Sequence, residues 1–140
     1  MNAKWSVEKF LTLNGRELCE YMDPLLPCMS GVEVEHGDLF RLRRKLRTEH
    51  FADEFHIVYA LLVIQKCDAA LIIPEIAGYL VHRFDSVKSA ASRIIANLEP
   101  GLARSDLREA IDRLARQRPL DRLLASVRRD FRQKFGDGTG

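Results

Sequence analysis

Tryptophan occurs once in these 140 residues, cysteine three times and proline five times, and aromatic residues make up 8%. Each scarcity excludes something. Cys19, Cys28 and Cys67 are odd in number and have no C-x-x-C spacing. A disulfide framework and a thiolate zinc site are therefore not expected, and three reduced thiols are. Long apolar runs are missing. The longest, residues 57–64, falls far short of the ~20 residues that span a bilayer. The opening MNAKWSVEKFLTL lacks the apolar core and small-residue cleavage pattern of a secretory signal. Neither sign of charge dominates: 22 basic residues face 20 acidic ones, for a net +2. That balance argues against a generic polyanion binder. Together these absences predict a cytoplasmic protein with no membrane role.

Recognisable catalytic chemistry is missing as well. No glycine-rich loop follows a strand, and neither G-x-S-x-G nor a Cys–His signature occurs. Carboxylates are scattered among arginines, so no pair stands out for acid–base work. Cys19 beside Glu20 has no nearby cation to lower its pKa. His50, Asp53, Glu54 and His56 form the densest metal-capable cluster. His50 and Glu54 would share a helical face only if the helix began early, and the spacing is not H-E-x-x-H. No catalytic residue, metal or cofactor is expected.

What is present is helical periodicity. Hydrophobic residues make up 46% and charged residues 30%, which fits one folded domain over residues 1–135 with a flexible tail at 136–140. Ser6 caps a first helix with Val7, Phe10 and Leu11 along its stripe. A second short helix ends before Asp23-Pro24, because the residue preceding proline disfavours helix. Val32 and Val34 alternate with Glu33 and Glu35, a strand-like scrap too short to found a sheet. From Asp38, Leu39, Leu42 and Leu46 share one face. Asp53 is the expected N-cap of a helix containing Phe55, Val58, Leu61, Leu62 and Ile64, apolar nearly all round and so central. Residues 71–81 read as one apolar helix. The next starts at Asp85 or Ser86 and turns Val87, Ala90, Ala91, Ile94 and Leu98 inward. Ser105 caps a helix with Leu107, Ala110, Ile111 and Leu114 inside. Pro119 opens a last helix with Leu120, Leu123, Leu124, Val127 and Phe131 as its stripe. No strand–helix alternation appears, so the class is all-α, a multi-helix bundle.

Pro74, Asp85, Val87, Lys88, Ala90, Ala91, Ile94, Ile95 and Leu98 carry a resemblance. Pro74 stands in the first helix of a hairpin. Asp85, Val87 and Lys88 match a D-x-V-R/K start to the second, and the alanines match the small residues that let helices approach. In this the segment 71–100 resembles one HEAT repeat, the two-helix unit of α-solenoids. The resemblance implies a HEAT-like hairpin serving as a scaffold or binding surface, and no activity.

Two basic stretches remain. Residues 41–47 read RLRRKLR, and Arg128, Arg129, Arg132 and Lys134 lie on the last helix. Arginine's planar fork pairs bidentately with carboxylates while its stem packs on apolar surface. The expected function is therefore non-enzymatic. It is that of an adaptor, inhibitor or regulatory subunit whose Arg43, Arg44, Arg47, Arg129 and Arg132 meet a protein partner with an acidic surface. Self-association into a homo-oligomer is compatible with this. The alternative is a small nucleic-acid-binding protein using the 41–47 helix.

Overall fold

Asp53 decides where the central helix of the first half begins. In the computed structural model, which describes residues 5–31, 34–48, 51 and 53–136, its Oδ1 accepts the N–H groups of Phe55 at 2.7 Å and His56 at 3.4 Å. Those are donors that a helix start leaves without intrahelical partners. Oδ2 accepts the Gly15 N–H at 2.9 Å, so one carboxylate ties together the starts of two helices. Every regular element among the described residues is helical, and the protein is all-α. The elements form two units, Met1–Ile72 and Ile73–Gly140.

The first unit holds α1 (Val7–Thr12), α2 (Gly15–Met22), a 3-10 turn at Leu26–Gly31, α3 (His36–Thr48), α4 (Glu54–Asp68) and a 3-10 turn at Ala69–Leu71. Ser6 caps α1, its hydroxyl accepting the Lys9 N–H at 3.3 Å. α4 packs against α2, α3 and both turns. Trp5, Phe10, Leu18, Met22, Leu42, Leu46, Leu61 and Ile64 are buried in this unit. The Trp5 and Phe10 rings lie 5.5 Å apart, and the indole N–H meets Met22 Sδ at 3.3 Å.

Sequence periodicity names no buried face for α4, and the structure supplies one. Leu61 and Ile64 are inside, but Phe55 is 40% exposed, while His56 is 1% exposed. A helix that is apolar all round offers periodicity no stripe to choose. Here a polar contact settles the rotation: His56 Nε2 lies 3.1 Å from the Phe10 carbonyl oxygen, with the Phe10 and Phe51 rings beside it. His56 thus serves the core. His50, weighed with it in the densest metal-capable cluster, lies outside the described residues, as do Val32 and Glu33 of the strand-like scrap and 137–140 of the expected tail.

On α4, Tyr59 donates its hydroxyl proton to Asp23 Oδ1 at 2.6 Å. Burial pushes this phenol above its usual range, and the Asp23 bond and the nearby Cys19 push the same way. The folded protein therefore keeps the proton to higher pH than the unfolded chain does. The associated stability is complete below pH ~10 and is lost progressively above it. Tyr59→Phe should cost about 1 kcal/mol at neutral pH and should flatten the decline of the urea midpoint above pH ~10. A variant matching the parent in both respects would leave the Tyr59–Asp23 bond without an energetic role.

The second unit begins differently from expectation. Residues 71–81 do not form one helix. They run through the 3-10 turn that ends at Leu71, a single α turn α5 (Ile73–Ile76) and a 3-10 stretch Ala77–Val81. Pro74 lacks an N–H to donate, which helps break the ladder here. Tyr79, His82 and Phe84 then stack across the corner, and the Phe84 N–H donates to His82 Nδ1 at 3.2 Å.

α6 (Asp85–Ala96) follows. Val87, Ala90, Ala91, Ile94 and Leu98 are all buried, as periodicity requires. Asp85 lies inside the first turn and pairs with Lys88 at 3.2 Å, so it does not cap the helix. α7 (Ser105–Gln117) likewise starts without a side-chain cap from Ser105, and buries Leu107 and Ile111. α8 (Arg122–Phe135) packs on α6 and α7 through Leu124, Val127 and Phe131.

Candidate anion-binding cleft between α7 and α8

The connection between α7 and α8 is a tight turn. The Asp121 N–H donates to the Arg118 carbonyl at 3.1 Å, and Pro119 sits at the second position, where its fixed φ suits such a turn. Asp121 Oδ1 accepts the Leu124 N–H at 3.1 Å and caps α8. Pro119 therefore lies before the helix and does not open it. Leu120 falls at the turn's apex and is 94% exposed. The expected stripe is corrected to Leu124, Val127 and Phe131, with Leu123 half-buried. A leucine this exposed gains nothing from burial in the isolated chain.

Beside that apex the two helices flank an open cleft of about 600 Å³. Arg116, Arg118, Arg128, Arg129 and Arg132 line it, and Asp121 is the one acidic residue among its walls. Ala115 and Ala125 contribute only methyl groups to the lining, where larger side chains would fill the space. Asp112 does not line the cleft, but it organises it. Its Oδ1 accepts Arg128 Nε at 2.9 Å, and its Oδ2 lies 3.5 Å from an Arg132 terminal nitrogen. With its side chain only 17% exposed, Asp112 holds two guanidiniums in place while their remaining N–H groups stay available. Arg129 contacts Asp130 at 3.5 Å and Ser126 at 3.4 Å. Arg116 and Arg118 make no ion pair among the described residues. Lys134 donates to the Ala96 carbonyl at the end of α6.

The charge distribution agrees with this placement. Residues 73–140 carry 13 basic against 9 acidic side chains, whereas residues 1–72 carry 9 against 11. Arg43, Arg44 and Arg47 belong to the net-acidic first unit. Arg41 is tied to Glu8, Arg43 is half-buried, and Arg44 and Arg47 are exposed. Phe40, one turn before Arg44, is 50% exposed. Of the five expected partner-binding arginines, Arg129 and Arg132 line the cleft. Arg128, read in the same basic stretch, joins them. Arg116 and Arg118 come from the far side of the turn, and spacing along one helix does not reveal them. The observable hint was Pro119-Leu120 between two arginine-bearing segments.

Chemically the lining offers guanidinium donors, one amide (Gln133) and a carboxylate already engaged with backbone. Such a set is chemically suited to hold an anion. Among the described residues no helix is long and apolar enough to cross a membrane, and no group of three or more His, Cys, Asp or Glu side chains is placed to hold a metal. Comparison with protein-family models, curated proteins and solved structures finds no match to the chain.

Proposed function

We propose that this chain is a non-enzymatic adaptor, inhibitor or regulatory subunit, and that it docks an acidic protein surface over the α7–α8 cleft. One observation carries the reading: five arginines surround a 600 Å³ cleft whose neighbouring turn presents Leu120 at 94% exposure. Arginine is enriched among interface hot spots, and the exposed leucine beside the cleft offers apolar area whose burial against a partner would add affinity. The HEAT-like reading of residues 71–100 belongs to the same proposal, since such hairpins act as scaffolds. Nucleic-acid binding by the 41–47 helix has less support. That helix stands on a net-acidic unit, with Arg41 already paired and Arg43 half-buried.

The test is capture from native lysate by the tagged full chain, with nuclease treatment as a control, followed by measured affinity for the captured protein. Leu120→Ser removes the anchor without touching a buried residue, so the fold should be unaffected. The affinity should fall at least ~30-fold, as for a hot spot worth about 2 kcal/mol. An unchanged affinity would remove the turn from the interface, and capture abolished by nuclease would favour the nucleic-acid alternative.

A further inference from the structure

We infer that the group seated in the α7–α8 cleft is a phosphate monoester, carried on a serine or threonine of the protein partner. The inference rests on the acidic-partner reading and narrows it. Of the five guanidiniums around the cleft, Arg128 and Arg132 share one carboxylate, Asp112, and Arg129 meets Asp130. Arg116 and Arg118 have no ion pair among the described residues, and Asp121, the one lining carboxylate, has an oxygen committed to the Leu124 N–H. The excess of guanidiniums over carboxylates favours an occupant with concentrated negative charge. A carboxylate brings one charge and two acceptor oxygens. A phosphate monoester brings about 1.5 to 2 charges and three acceptor oxygens. Arginine forks match those oxygens two at a time.

The geometry is prepared in advance. Asp112 engages Arg128 through Nε and Arg132 through one terminal nitrogen. The terminal groups of Arg128 and the remaining donors of Arg132 stay unspent. Two side chains are thus ordered before any ligand arrives, which lowers the entropic cost of binding. Arg116 and Arg118, without ion pairs among the described residues, supply charge that no described carboxylate pairs with.

Two features favour a peptide as the source. A lone phosphate fills a small part of about 600 Å³, and the remaining space fits the residues flanking a phosphorylated side chain. Leu120 and Pro119 offer those residues an apolar contact. No aromatic side chain lines the cleft, so the stacking platform that single-stranded nucleic acid uses is missing there.

The experiment immobilises the full chain and presents degenerate peptide libraries that differ only at the central position: phosphoserine, phosphothreonine, serine or glutamate. A short single-stranded RNA and inorganic phosphate are run in parallel. Phosphopeptides should be retained at least ten times better than the glutamate library. Millimolar inorganic phosphate should compete, and retention should vanish in Arg116→Gln/Arg118→Gln. Both side chains are exposed, so the double variant should keep the parent's circular dichroism and melting. Equal retention of the glutamate library, or retention of none of the peptides, overturns the inference. So does tighter retention of RNA, or inorganic phosphate binding as tightly as the best peptide. A phosphatase arm separates the two readings. Capture that survives phosphatase but falls in Leu120→Ser overturns the phosphate inference and leaves the acidic-partner reading standing.

Discussion

Phe10→Ala should lower the unfolding free energy by about 3–5 kcal/mol, the range for emptying a buried aromatic site. Phe10 is 0% exposed. Its ring lies 5.5 Å from that of Trp5 and meets the His56 imidazole edge-on at 5.2 Å, so truncation strips both of a packing face. The Phe10 carbonyl remains in the variant and can still meet His56 Nε2, so the loss is mainly one of packing. Set against the ~5–15 kcal/mol by which domains are usually stable, the variant stands near the edge of folding. Phe10→Leu keeps most of the volume and should cost about 1–2 kcal/mol, which gives a measurable protein if the alanine variant fails to accumulate. Trp5, the single tryptophan, reports the transition by fluorescence during urea unfolding. Losses below about 1 kcal/mol in both variants, the scale of an ordinary surface change, would mean that the α1 stripe does not support the core.

The elements that were legible in the sequence share a physical property. α6 is an uninterrupted helix with apolar residues on one face only, and Val87, Ala90, Ala91, Ile94 and Leu98 are all inside. The Asp53 cap was equally readable, because a carboxylate before an apolar run has few better uses than free N–H groups. α4 was readable as a helix but not as a face. With apolar residues all round, its rotation depends on a contact 46 residues away, between His56 and the Phe10 carbonyl. Trp5 is not legible as a core residue for a related reason. It precedes the first helix, has no periodic partner, and is fixed by Met22 and Phe10.

The cleft was half visible. Arg129 and Arg132 follow from the basic stretch, but Arg116 and Arg118 join them only because the chain reverses at Pro119. Asp112 shows why local rules fall short. Four-residue spacing pairs it with Arg116, yet it bonds Arg128 and Arg132 across the hairpin. A partly buried carboxylate gains more from two guanidiniums held by packed helices than from one mobile side chain on its own surface. Leu120 was misplaced because proline is equally at home in the first turn of a helix and in a β-turn. Only the capping contact from Asp121 to Leu124 decides between them.

Charge reversal at Arg116, Arg118 and Arg129 together should weaken partner binding at least ~100-fold. The substitution Arg116→Glu/Arg118→Glu/Arg129→Glu leaves two arginines facing four carboxylates around the cleft. Juxtaposed like charges at an interface cost several kcal/mol, and each ~1.4 kcal/mol is a factor of ten. Arg129 is two-thirds exposed, so solvent screens it and the three changes will not add in full. The fold should persist, since none of the three is buried. Asp112→Ala then distinguishes a mere positive field from a built site. Counting charge alone, removing an aspartate makes the region more positive and should tighten binding of an acidic partner. If preorganisation dominates, Arg128 and Arg132 lose their anchor and affinity should instead fall about tenfold, the cost of re-ordering two long side chains on binding. Affinity measured by surface plasmon resonance at two salt concentrations, with circular dichroism to confirm folding, separates these outcomes. Tighter binding by Asp112→Ala would reduce the cleft to a patch of charge, and undiminished binding by the triple variant would move the interface elsewhere.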